Sequence, residues 1–157
     1  ICYGHQAIAR ALFGPSAVGR SAVPEIGWKE IEVLQETDLL AGLGPRFRVF
    51  LSHFDEVRPV EGLDVLACSE RCEVQAFRVP GHPVWGIQFH PEMPRQEIES
   101  LLEEKERDRP DLGVDAAREL AGAVDGHPLM DRIFENFRGL ARSPDRTTCS
   151  TGDLEPR

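Results

Sequence analysis

Cys2 is followed by Tyr3-Gly4-His5-Gln6 and then by a run in which Ile8, Leu12 and Phe13 recur at helical spacing. A cysteine at the mouth of a helix faces the positive end of the peptide dipoles, and this favours the nucleophilic thiolate. The backbone N–H groups of the first turn point toward whatever the sulfur attacks. Gly4, without a side chain, lets backbone approach the nucleophile, as in the elbow of serine hydrolases. Taken alone, a buried inert cysteine beside a tight turn reads as well. A second cluster, His90-Pro91-Glu92, ends a β-rich run from Val84 to Phe89. Residues two apart on an extended segment project to one side, so His90 and Glu92 can share a pocket. A carboxylate beside an imidazole orients it and stabilises the imidazolium, the third role in a nucleophile, base and orienter set. Alone, that tripeptide reads rather as a surface turn.

The elements that must position these groups follow from the pattern. A helix is predicted from Tyr3 to Phe13, stopped by Gly14-Pro15. Short strands are predicted at residues 31–34, 47–51, 63–66, 74–77 and 84–89, between turn-forming Gly and Pro. Three helices follow at 97–107, 115–123 and 129–140, the first with Ile98, Leu101 and Leu102 inward and the last with Ile133, Phe134 and Phe137 on one face. The tail, 143–157, is polar and reads as disordered. No internal repeat is present.

The chain has 157 residues, 41% hydrophobic and 29% charged, the size and composition of one globular domain. A formal charge of −9 argues against nucleic-acid binding as the main activity, since phosphates are gripped by clustered Lys and Arg. The apolar runs fall short of the roughly 20 residues that cross a bilayer, and no leader segment is recognisable, so no membrane partner and a cytoplasmic location are expected. Cys2, Cys68, Cys72 and Cys149 read as reduced thiols, with Cys68 and Cys72 as strand-end packing residues rather than zinc ligands. His5 reads as a packing or capping residue, and His82 and His127 as loop residues.

Together the motifs carry a resemblance. Cys2-Tyr3-Gly4-His5-Gln6 and, roughly ninety residues on, Gly86-Ile87-Gln88-Phe89-His90-Pro91-Glu92 resemble the two halves of the class I glutamine amidotransferase signature. Between them Ser52-His53-Phe54-Asp55-Glu56-Val57 resembles the family's His-x-Asp-x-Val segment. Gly27-Trp28 and Ile133-Phe134-Glu135-Asn136-Phe137 look like the stand-alone relatives of the glutaminase part of guanosine monophosphate synthetase. The resemblance implies an α/β fold with a doubly wound, mostly parallel sheet of flavodoxin-like order, and a triad of Cys2, His90 and Glu92. It implies Tyr3, Gln6, Ser52 and His53 near the substrate, no metal and no cofactor. The implied substrate is glutamine, which yields ammonia and glutamate, with a synthetase as the ammonia-accepting partner. A γ-glutamyl hydrolase of the same family and an inactive remnant serving as an interaction module stay open. The opening on Ile1-Cys2 makes the chain read as the C-terminal two-thirds of such a domain, spanning 1–142. Phe54 stands where a small residue is frequent, and is expected to reshape the substrate pocket.

Overall fold

A computed structural model describes residues 1–142. Helix α1 (Tyr3–Phe13) leads into five strands, β1 (Val18–Val33), β2 (Arg46–Val57), β3 (Asp64–Cys68), β4 (Ala76–Arg78) and β5 (Trp85–Ile87). Helices α2 (Arg95–Asp108), α3 (Ala116–Ala121) and α4 (His127–Arg142) complete the order. The tail from 143 on, including Cys149, lies outside the described residues.

The strands form one sheet in the order β2-β1-β3-β4-β5, and each named pair is antiparallel. This differs from the mostly parallel sheet expected. The reason is connection length: parallel neighbours need a crossover of about a dozen residues or more, usually a helix. Residues 69–75 and 79–84, which join β3 to β4 and β4 to β5, are short, so these strands turn back on their neighbours, while residues 58–63 carry the chain from β2 past β1 to β3 on its other edge. What the described residues define is an α/β fold with a curled antiparallel sheet and helices packed on it.

Side-chain alternation along β1 and β2 divides the core. Val49 and Leu51 join Ile31, Leu66, Ala67, Ala76, Phe89 and, from α4, Ile133. Phe50 projects the other way, with Ile26 and Trp28, onto Ile98 and Leu102 of α2 and Ala116 of α3. A third cluster seats Ala9 of α1 on Val57, Val74 and Phe77. On α4, Ile133 is buried as expected, whereas Phe134 and Phe137 stay nearly half exposed, at 47% and 44%. Phe137 meets the edge of Trp85, with ring centroids 6.2 Å apart.

Candidate active site

Cys2 occupies the turn that opens α1, with φ 46° and ψ −105°, a region that non-glycine residues rarely adopt. Its N–H donates to the carbonyl of Ile87 at 2.8 Å, which fixes the turn beside β5. Tyr3 is the first residue of α1, so its N–H has no carbonyl within the helix to bind. The next N–H, of Gly4, is taken by Ile1 at 2.9 Å. A Cβ on Gly4 would meet nothing within 4 Å, so the close approach expected there is not realised among the described residues.

Glycine is needed instead at Gly86. A Cβ there would lie 2.6 Å from Nδ1 of His5 and 2.7 Å from the Phe77 ring. The missing side chain lets α1 sit close on β5. His5 fills that space, fully buried and stacked on Phe77 at 4.7 Å, and burial lowers its pKa to about 3. Its ring nitrogens face the backbone of Gly86 and Val74 without completing a well-aligned hydrogen bond. It packs rather than acting as a base.

After β5 the chain changes neighbours. Gln88 N–H donates to Gln75 at 2.8 Å, and His90 N–H donates to Phe50 of β2 at 2.9 Å. This bridge brings His90 to the sulfur. Nδ1 of His90 lies 2.7 Å from Oε1 of Glu92. Burial alone would lower the His90 pKa, but hydrogen bonds to Cys2 and to Glu92 outweigh it and raise the pKa to about 9. Burial likewise opposes the Glu92 carboxylate, and the bond from His90 holds it below the ordinary range. His90 therefore keeps its proton at neutral pH.

Burial pushes Cys72 up to about 12, and burial with Glu32 nearby raises Cys68. Cys2, Cys68 and Cys72 are all free.

The remaining sequence candidates fall in several places. Gln6 spends its amide N–H groups on the Asp55 carbonyl at 2.8 Å and on Oε1 of Gln88 at 2.9 Å, leaving only its oxygen for a substrate. Ser52 lies across from Ile26 in the sheet and His53 across from Glu25. His53 is buried, with Nε2 3.3 Å from Oε2 of Glu25, an off-axis approach that makes no directed hydrogen bond. The link from this segment to the Cys2 turn runs through the Asp55 carbonyl, not through Ser52 or His53. Phe54 packs on the α2 side, beneath Arg20 at 4.7 Å and Arg109 at 5.6 Å. His127 begins α4, where its Nδ1 meets Asp125 at 2.7 Å, instead of lying in a loop.

Sequence reasoning missed two groups. Glu119 of α3 accepts from Trp28 N–H at 3.0 Å and pairs with Lys29 at 3.2 Å, in a notch open only because Gly27 lacks a side chain. The signal was Gly27 itself, whose φ of +102° suits glycine. The second is a buried polar group in which Glu25, His53 and Cys72 bring ligand-type atoms within 4.8 Å of one another. Hydrogen bonds already occupy it, since both Glu25 oxygens accept from Ser69 at 2.9 Å and one also from Gln75 at 2.8 Å. A cavity of about 190 Å³ reaches His90 between Trp28, Phe50, Met93 and His127. A larger groove of about 790 Å³ along β1 touches none of Cys2, His90 or Glu92, so size does not mark the chemistry here.

A cysteine on a positive-φ turn at a helix mouth, beside a His-carboxylate pair, is an arrangement capable of cysteine-dependent acyl transfer. The family model described as glutamine amidotransferase class-I matches residues 1–106, and the chain belongs to that family. It is 47% identical over 144 residues to the glutamine-hydrolyzing GMP synthase subunit of Methanothermobacter thermautotrophicus, covering 91% of this chain and 60% of that protein. With the protein of the same name from Methanosarcina acetivorans it shares 48% over 95 residues, covering 59% of this chain and 49% of that one. Its fold is similar to the crystal structure of a glutamine amidotransferase from Thermotoga maritima, with a TM-score of 0.73 at 23% identity, covering 90% of this chain and 61% of that one. The chain thus spans between about half and 60% of the length of these curated relatives.

Proposed function

We propose that this chain carries the glutamine-hydrolysing centre of an amidotransferase, with Cys2 as nucleophile, His90 as acid and base, and Glu92 as its orienter. The observation that carries the reading is geometric: Nδ1 of His90 lies 2.7 Å from Oε1 of Glu92 while the same ring hydrogen-bonds Cys2, which opens α1 on a positive-φ turn. Cys2 sulfur adds to the γ-carboxamide carbon of glutamine, and the oxyanion is held by backbone N–H groups including that of Tyr3. Protonated His90 gives its proton to the departing nitrogen, and the C–N bond breaks to leave ammonia and a γ-glutamyl thioester. Neutral His90 then takes a proton from water as it attacks the thioester, and glutamate leaves with Cys2 restored. Gln6 through its oxygen, and the backbone of Ser52 and His53, line the substrate side.

The names of the GMP synthase relatives favour ammonia transfer to a synthetase partner over free γ-glutamyl hydrolysis. A cytoplasmic location goes with that role, and among the described residues no helix is long and apolar enough to cross a membrane. We also assign residues 1–142 to one amidotransferase domain, and a doubly wound, mostly parallel sheet to the complete protein. The bond from Cys2 N–H to Ile87 supports this, since a strand running into Cys2 would lie along β5.

The test is labelling with a glutamine-like electrophile followed by peptide mass spectrometry. The adduct is expected on Cys2. An adduct mainly on Cys68, Cys72 or Cys149 would overturn the assignment.

A further inference from the structure

We propose that Gln88 is a positioning residue for the nucleophile, its side-chain amide donating to the Cys2 sulfur in an orientation dictated by Gln6. The inference rests on the reading of Cys2 as nucleophile and deepens it.

The side-chain nitrogen of Gln88 lies 3.3 Å from Sγ of Cys2, and Gln88 is fully buried. Amide nitrogen and oxygen are assigned from their neighbours, so the orientation has to be argued. The Asp55 main-chain carbonyl can only accept, so the Gln6 atom 2.8 Å from it is the nitrogen. That nitrogen has a second hydrogen, directed at a side-chain atom of Gln88 2.9 Å away, which must then be the oxygen. The other end of the Gln88 amide, which faces the sulfur, is therefore the donor. Reversing Gln88 would set two N–H groups against each other and leave the sulfur facing an oxygen.

The frame behind this chain is rigid. The Asp55 carbonyl also accepts from Nδ1 of His53 at 3.1 Å, so both of its lone pairs are used. His53 in turn stands 3.3 Å from Glu25. The Gln88 backbone is held by Gln75 at 2.8 Å. A fixed N–H bonds a thiolate more strongly than a thiol and holds the partly buried sulfur facing His90. His90 and Gln88, two residues apart, then serve the same atom from one segment. Within Gly86-Ile87-Gln88-Phe89-His90-Pro91-Glu92 this gives Gln88 a task separate from those of His90 and Glu92.

The experiment measures the rate of Cys2 alkylation by iodoacetamide against pH in the 157-residue chain, read by peptide mass spectrometry, with Cys68 as internal control. Gln88→Met keeps the length and apolar stem but removes the donor. It is expected to slow Cys2 alkylation at pH 7 on the order of ten-fold, to move the half-maximal pH upward, and to converge with the parent chain at high pH. Gln6→Met, which frees the Gln88 amide to turn over, is expected to shift the profile the same way by less, and decides the matter if Gln88→Met does not fold. His90→Asn separates the two readings. If it moves the profile while Gln88→Met and Gln6→Met leave it in place, or lower the rate equally at every pH, the positioning role is overturned and the triad stands. If His90→Asn also leaves the profile unmoved, the triad reading itself fails.

Discussion

Two neighbours decide the protonation of His90, and their effect on stability has a definite sign. The His90 pKa rises from the ordinary 6.5 to about 9, so its pairing stabilises the fold fully below 6.5, and that contribution is lost as pH rises through 9. Glu92 is held below its ordinary 4.5, so its contribution is present above 4.5 and lost on further acidification. The pair is therefore at full strength between 4.5 and 6.5. Glu92→Gln is expected to lower the His90 pKa and to destabilise the chain more at pH 6 than at pH 10. An NMR titration of the His90 ring and urea melts at both values check this. A His90 titration unchanged in the variant would show that Glu92 does not hold the ring. Because Glu92 is partly exposed, solvent screening keeps the stability change small, and the ring titration is the sharper readout.

At the scale of elements, the approach of α1 to β5 depends on one absent side chain. Gly86→Ala would drive a methyl group to 2.6 Å from His5 and 2.7 Å from Phe77, both fully buried. Repacking of this kind costs about 1–3 kcal/mol, and here the strain falls on the contact that sets Cys2 beside His90. The variant is expected to melt at lower urea and to lose the elevated His90 pKa, whereas Gly4→Ala, with no neighbour within 4 Å, is expected to change neither through crowding. Equal melts for Gly86→Ala and the parent would refute the argument. The two elements differ in how readable they were. Helix α1 follows its sequence from end to end, because alanines, spaced apolar residues and Gly14-Pro15 all agree. Most of β1, residues 18–30, was invisible, since Gly19, Ser21, Pro24 and Gly27 break any strand pattern. The strand tolerates them by slipping register between Arg20 and Glu25 and by setting Gly27 at φ +102°. Cys2, His90 and Glu92, the proposed triad, were picked out by their motifs. The reasons they meet, the His5 seat on Gly86 and the bridge from His90 to Phe50, are contacts between distant segments that no local pattern encodes.

At the scale of the whole molecule, the family match ends at residue 106, but the packing does not. Helix α4 sends Ile133 into the central core with Leu39, Leu40 and Phe89, and Leu129 packs against the same cluster. Asn136 Nδ2 donates to the carbonyls of Leu39 at 3.0 Å and Ala41 at 2.9 Å, tying the helix to the turn between β1 and β2. This gives a physical reason for the Ile133-Phe134-Glu135-Asn136-Phe137 segment: its first residue is a core anchor and its fourth a backbone clamp. The assignment of 1–142 to one domain therefore predicts that α4 cannot be removed without cost. Each fully buried aliphatic side chain is worth about 1.5–3 kcal/mol, against a total of roughly 5–15 kcal/mol for a domain. A chain ending at residue 126 loses the Ile133 and Leu129 contacts and bares Leu39 and Leu40, so it is expected to lose most of its stability and its cooperative transition. Asn136→Ala is the milder case, expected to lower stability by about 1–3 kcal/mol because two carbonyls lose their donor. Urea melts followed by tryptophan fluorescence report on both, since Trp85 lies against α4 and Trp28 beneath α3. If the shortened chain melts at the same midpoint as the parent, α4 is an appendage and the domain ends before it.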